Sequence, residues 1–167
     1  MENKQIDEAY NIIEECGKNM AERLGLNHWN PPDITPEIMC EYAREKRVYG
    51  VKIENKEKII ATFIVEQIPQ YDKNHIGNSI LYFSKLAVLC EYQGQGIGTY
   101  CVKEIEKLAR QNNCKAVRCD ALMEHKRLIK TYHCNLNYDI VDIITKISKR
   151  QKNQEWKLVL FEKVLIE

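Results

Sequence analysis

Apolar side chains at Ala9, Ile12, Ile13, Cys16, Met20 and Leu24 recur at helical spacing, with charge on the opposite face. The pattern predicts a helix over 7–24, stopped by Gly25. The stretch from Leu26 to Asp33 reads as a loop. Thr35 then has the character of an N-cap, with Pro36 at the first helical position, and a second helix runs to about Arg44. From Val48 the period changes. Val48 to Ile53 alternates, Glu54 to Lys58 is a polar hairpin turn, and Ile59 to Ile68 is a β-branched return strand. Pro69 to Ser79 is polar and loop-like. Ile80 to Leu89 is apolar almost throughout, broken only by Ser84 and Lys85, which suits a central strand covered on both faces. Ile97, Cys101, Ile105, Leu108 and Ala109 mark the next helix. A strand over 115–120, a short helix over 126–134, a strand over 138–147, a polar turn over 148–154 and a strand over 156–165 follow.

Two helices, three strands, helix, strand, helix and two strands make an α/β layered domain with a mixed sheet. The 167 residues are one domain's worth, 1–167, long enough for a core without a disulfide or metal staple. No apolar run approaches the ~20 residues of a membrane span. The polar start lacks the apolar core of a signal peptide, so the expected compartment is the cytoplasm. A formal charge of +1 argues against a global grip on nucleic acid. The seven cysteines form no CxxC pair, which argues against a metal or redox site and for reduced, buried thiols.

Glycine changes the picture. The chain has only 7, and Gly94, Gly96 and Gly98 share one turn between a strand and a helix. The first N–H groups of a helix have no partner within it, and the helix dipole favours negative charge there. Missing Cβ atoms let a phosphate approach the backbone. The turn therefore points to a diphosphate held by amides. A nucleotide-hydrolase loop would need Lys-Ser or Lys-Thr after the last glycine, where Thr99-Tyr100 stands. A dinucleotide fingerprint would read GxGxxG after the first strand. Asp120 has the right offset for its ribose acid, but the chain reads GxGxG after the third strand.

Gln93-x-x-Gly96-x-Gly98 resembles the Gln/Arg-x-x-Gly-x-Gly/Ala motif of the GCN5-related N-acetyltransferase (GNAT) superfamily. Leu86-Ala87-Val88 before it and Leu128 to Tyr132 after it are similar to that family's central strand and second motif. The resemblance implies a mixed, mostly antiparallel sheet of six or seven strands flanked by about four helices. It implies acetyl-coenzyme A as acyl donor, without a metal, and a primary amine of a small molecule or peptide as acceptor in a ternary complex. By that likeness the amides of Gln95, Gly96, Ile97, Gly98 and Thr99 hold the pyrophosphate, Gly94 and Gly96 allow approach, and Gln93 braces the turn. Leu86 and Val88 offer backbone groups to the pantetheine and the thioester carbonyl. Tyr132 contacts the coenzyme and protonates the departing thiolate. The general base is open between Glu66, taken as third from the end of its strand, and Asp120, taken as the end of its own. Glu91, His125 or water are further options.

The chain departs from the family in three places. His125 stands where the family often has Asn, seven residues before Tyr132, among the coenzyme contacts. The segment after Tyr132 carries one extra residue, with Asn137 in place of a glycine because Asn tolerates left-handed geometry. Residues 1–6 are too short and polar for the family's first strand. His28, Trp29, Pro31, Pro32 and Tyr42, with Tyr71 and Asp72, would wall the acceptor. The alternative to catalysis is an acyl-coenzyme A-binding sensor on the same fold. No sequence feature decides for or against a homodimer.

Overall fold

A computed structural model describes residues 3–30, 32–54, 57–67, 80–148 and 154–165. The elements are α1 (Asn3–Leu24), α2 (Pro36–Arg44), β1 (Val48–Lys52), β2 (Ile59–Glu66), β3 (Ile80–Val88), α3 (Ile97–Gln111), β4 (Ala116–Leu122), α4 (Lys126–Lys130), β5 (Asp139–Ile147) and β6 (Glu155–Val164). A 3₁₀ turn, Cys90–Tyr92, precedes α3, and a π-helical turn, Thr131–Asn135, follows α4. The six strands form one mixed sheet in the order β1-β2-β3-β4-β6-β5. Its β3–β4 pair is parallel, while β1–β2, β4–β6 and β5–β6 are antiparallel. No helix among the described residues is long and apolar enough to cross a membrane.

The predicted order of elements holds, with local corrections. The sheet has six strands, because residues 3–6 are helical and extend α1 backwards. Ile6 is buried with Ala9, Ile12, Ile13 and Cys16, so the apolar stripe recruits the polar start into its first turn. β4 runs on to Leu122 because β6 pairs with it as far as Leu122↔Leu158. Glu66 is therefore the last residue of β2, and Asp120 lies inside β4. The loop over 69–79, Ile68 and the centre of the 54–58 turn lie outside the described residues.

Two compact units share the chain, residues 1–65 with 85–101 and residues 66–84 with 102–167, and both β3 and α3 pass from one to the other. In the first unit α1 and α2 pack against Val48, Ile59, Ile60, Ile64, Ala87 and Leu89. Thr35 caps α2 through Ile38 N–H at 3.4 Å, with Pro36 next in line. Gly25 ends α1 at φ +68°. Gly17, in the middle of α1, lies so close to the next loop that a Cβ there would stand 2.3 Å from the Trp29 carbonyl oxygen. Helix propensity alone favours alanine over glycine by about 1 kcal/mol. The forced shift outweighs it, since overpacking costs about 1–3 kcal/mol. Gly17→Ala is expected to lower the urea midpoint of unfolding; an unchanged or raised midpoint would show that the 26–30 loop yields freely.

In the second unit β4 and β6 bury Val117, Cys119, Leu158, Leu160 and Phe161, and the C-terminal part of α3 buries Val102, Ile105 and Ala109 at or below 1% exposure. Glu106 is buried there. It accepts from Lys163 Nζ at 2.9 Å and from the Tyr138 hydroxyl at 3.2 Å, and Lys163 also donates to the Leu136 carbonyl at 3.1 Å. A buried carboxylate needs such partners. These bonds fix the segment that leaves the π turn.

Candidate functional site

The glycine turn is built in the first unit. β3 ends at Val88, Cys90–Tyr92 makes a 3₁₀ turn, and α3 starts at Ile97. Gly94 and Gly96 sit at φ +79° and +84°, where a side chain is strained. The Tyr100 N–H donates to the Gly96 carbonyl at 2.9 Å. The N–H groups of Ile97, Gly98 and Thr99 are thus the first-turn donors that a helix cannot satisfy itself. The first turn of α3 carries no acidic side chain. A Cβ at Gly94, Gly96 or Gly98 would meet nothing within 4 Å. Amides at a helix N-terminus beneath open space fit a diphosphate.

Gln93 ties the turn to the strand. Its Nε2 donates to the Val88 carbonyl at 2.9 Å, and the Cys16 thiol donates to the same oxygen at 3.2 Å. Gln95 Nε2 donates to the Glu91 carbonyl at 3.1 Å. Burial pushes the Cys16 thiol up to about 12, helped by nearby Cys90, so Cys16 is a donor here and not a nucleophile. The Leu89 N–H bonds to the Ile60 carbonyl at 2.9 Å. By alternation the backbone groups of Val88 and Leu86 point away from β2. Val88's carbonyl is committed to Gln93 and Cys16, which leaves its N–H as the group it can offer a ligand.

β3 carries a kink that the apolar run does not predict. Lys85 adopts φ +52° inside the strand, a conformation uncommon for a non-glycine residue. The polar break at Ser84-Lys85 was the one signal of it. The β3–β4 ladder covers Ile80↔Ala116 to Tyr82↔Arg118, just ahead of the kink. The Lys85 ammonium lies 4.8 Å from the centre of the Trp29 ring, and the Arg47 guanidinium 3.8 Å from that of Tyr42. Two aromatic rings proposed for an acceptor ammonium therefore each already carry a cation of the chain itself. Tyr71, Asp72 and Pro31 lie outside the described residues.

The second unit holds Tyr132, Asp120 and His125. Tyr132 is in the π turn and 4% exposed. Its ring packs on Phe83, Phe161 and Tyr138 with centroids 5.4–6.0 Å apart. A π turn absorbs one extra residue in a helix, and Thr131–Asn135 takes that form. The Leu136 N–H closes it on the Thr131 carbonyl at 3.0 Å. Asn137 then takes φ +56°, the left-handed geometry expected of a glycine substitute. Asp120 accepts a hydrogen bond from the hydroxyl of fully buried Tyr82, a cross-strand partner that sequence spacing cannot reveal. Glu66 closes β2 and is half-buried.

His125 is the N-cap of α4, its Nδ1 accepting from the Leu128 N–H at 3.2 Å. Asn is among the best N-caps, so an asparagine at this position would serve the same local role. Burial lowers its pKa from 6.5, with Arg127 adding to the effect. The cap needs neutral Nδ1. Its contribution is therefore full above the unfolded pKa and is lost as pH falls through the lowered folded value. His125→Asn, which caps at any pH, is expected to remove that acid-side loss from a pH series of unfolding midpoints; a series matching wild type would refute the cap's role.

Residues 6–136 match the Acetyltransferase (GNAT) family. Among proteins of curated function none matches the chain. Many solved structures share the fold, these three among them. Smu.2055 from Streptococcus mutans UA159 is 17% identical with TM-score 0.69, covering 98% of this chain and 96% of its own. A ribosomal-protein-alanine N-acetyltransferase from Brucella melitensis is 12% identical with TM-score 0.70, covering 99% and 97%. A GNAT family acetyltransferase from Elizabethkingia anophelis, with acetyl-CoA bound, is 18% identical with TM-score 0.62, covering 86% and 90%.

Proposed function

The chain belongs to the acetyltransferase (GNAT) family, and on that premise we propose that it moves the acetyl group of acetyl-coenzyme A to a primary amine of a small molecule or peptide. The observation that carries the reading is the turn from Gln93 to Thr99, with open space above helix N-terminal amides and a glutamine tying it to the central strand. Acetyl-coenzyme A supplies an activated thioester. The chain's own residues do the rest.

In this reading the amides of Gln95 to Thr99 hold the diphosphate without spending a basic side chain. Gln93 keeps the turn in register with β3. The N–H groups of Leu86 and Val88, aimed away from β2, serve the pantetheine arm and the thioester carbonyl; a donor aimed at developing negative charge is worth a few kcal/mol. The Tyr132 hydroxyl donates a proton to the departing thiolate. Asp120 or Glu66 takes the proton of the acceptor ammonium, directly or through water. Tyr82 orients the Asp120 carboxylate. His125 serves by capping α4, six residues ahead of Thr131.

Binding of the coenzyme is the first test. At a concentration 100 times its dissociation constant a ligand stabilises the folded state by about 2.7 kcal/mol. Acetyl-coenzyme A is expected to raise the melting temperature by several degrees, and NAD or ATP is not. No shift at millimolar acetyl-coenzyme A would contradict the proposal. A shift with no product from any amine would favour a sensor.

A further inference from the structure

The last strand in the sheet order has little cover. β6 is the one strand that β5 pairs with among the described residues. Every residue from Asp139 to Ile143 is exposed. Ile140, Val141, Ile143 and Ile147 keep 46, 45, 54 and 66% of their surface exposed. A single exposed apolar residue is ordinary. Four on one edge strand form a template for another strand.

The backbone polarity of that edge follows from its neighbours. The Met123 N–H bonds to the Lys157 carbonyl, so the odd-numbered residues of β6 aim their backbone groups at β4. The even-numbered ones, Trp156 and Leu158, aim at β5, where they face Lys146 and Ile144. The bond from Ser148 N–H to the Gln154 carbonyl, 2.8 Å, keeps the same parity. The N–H and C=O groups of Ile143, Thr145 and Ile147 therefore face the open edge.

We propose that this edge pairs, antiparallel, with the same edge of a second copy of the chain, about a two-fold axis through Ile144. The charges select both the partner and the register. With the axis at Ile144, Asp142 stands opposite Lys146 of the second copy and Lys146 opposite its Asp142. These are non-hydrogen-bonded positions, where facing side chains come closest. Ile143 exchanges hydrogen bonds with the second copy's Thr145. An axis at Ile143 would set Lys146 against Ile140 and Asp142 against Ile144. An axis at Thr145 would set Lys146 against Ile144 and Asp142 against Ser148. Neither forms an opposite-charge pair.

The bulge between Ile140 and Asp142 ends the regular edge, so the paired stretch about this axis is Asp142 to Lys146. In the single chain the Asp142 carboxylate accepts from the Ile143 N–H at 2.7 Å. Pairing replaces that acceptor with the Thr145 carbonyl of the second copy and turns Asp142 towards the ammonium. A two-fold contact uses the edge once and closes. It rests on β5 and β6 alone and is independent of the catalytic reading.

Sedimentation velocity on the full chain across micromolar concentrations tests it, with circular dichroism confirming that each variant is folded. The wild type is expected to sediment as a dimer. Asp142→Lys and Lys146→Asp each set like charges opposite one another twice, and each is expected to weaken the dimer roughly tenfold or more. The double variant restores both pairs and the dimer. A monomeric wild type, an open-ended oligomer, single variants that dimerise like wild type, or a double variant that stays weak would each overturn the proposal.

Discussion

Gly98→Leu is expected to weaken acetyl-coenzyme A binding by on the order of 100-fold, a loss of about 2.7 kcal/mol, while leaving the fold intact. Gly98 lies within α3 and its φ is not positive, so its glycine is not required by the backbone. Leucine there gains roughly 1 kcal/mol of helix propensity. A Cβ at this position meets nothing in the protein within 4 Å, so the first atom of the side chain is accommodated without a clash. The side chain projects into the space that a diphosphate needs above the first-turn amides. Melting temperature and affinity should therefore move in opposite directions, which a folding defect cannot mimic. Titration calorimetry beside a thermal melt separates the two. Retained affinity would place the diphosphate elsewhere.

Tyr132→Phe is expected to lower kcat by about 100-fold or more, the scale of a lost general acid, with the coenzyme dissociation constant within about threefold of wild type. The ring's contacts to Phe83, Phe161 and Tyr138 survive the substitution, so packing is kept and only the hydroxyl is lost. A general acid also shapes the alkaline side of the kcat profile, and the variant should lose that limb. An unchanged kcat with an unchanged pH profile would reduce Tyr132 to a core aromatic.

Much of the fold was legible because its elements have clean periods. The stripe from Ala9 to Leu24, the Thr35-Pro36 start and the β-branched run from Ile59 each carry their own local instruction, and the structure follows them. The glycine turn was legible for the same reason, since positive φ at Gly94 and Gly96 is a local demand. So was Asn137, whose left-handed φ answers the extra residue before it. What escaped the sequence depends on partners far along the chain. The Tyr82–Asp120 bond needs the β3–β4 register. The Cys16 bond to Val88 spans 72 residues. The placement of Asp120 inside β4 follows from the length of β6, which the 115–120 pattern does not contain. The kink at Lys85 had only a two-residue polar break to announce it, which is also what a half-exposed strand face looks like. His125 shows the converse. Its capping of α4 is a local role that its residue type did not announce.

Acyl transfer itself is the central claim, and one measurement tests it most directly. Purified protein is incubated with acetyl-coenzyme A and a panel of amines spanning amino acids, polyamines, aminoglycosides and peptide N-termini, with free thiol and acetylated product followed together by mass spectrometry. The account predicts one class of amine that yields N-acetylated product in step with thiol release, and the loss of both in Gly98→Leu. Coenzyme binding with no acetylated product from any amine, or thiol release that no amine captures, would contradict it.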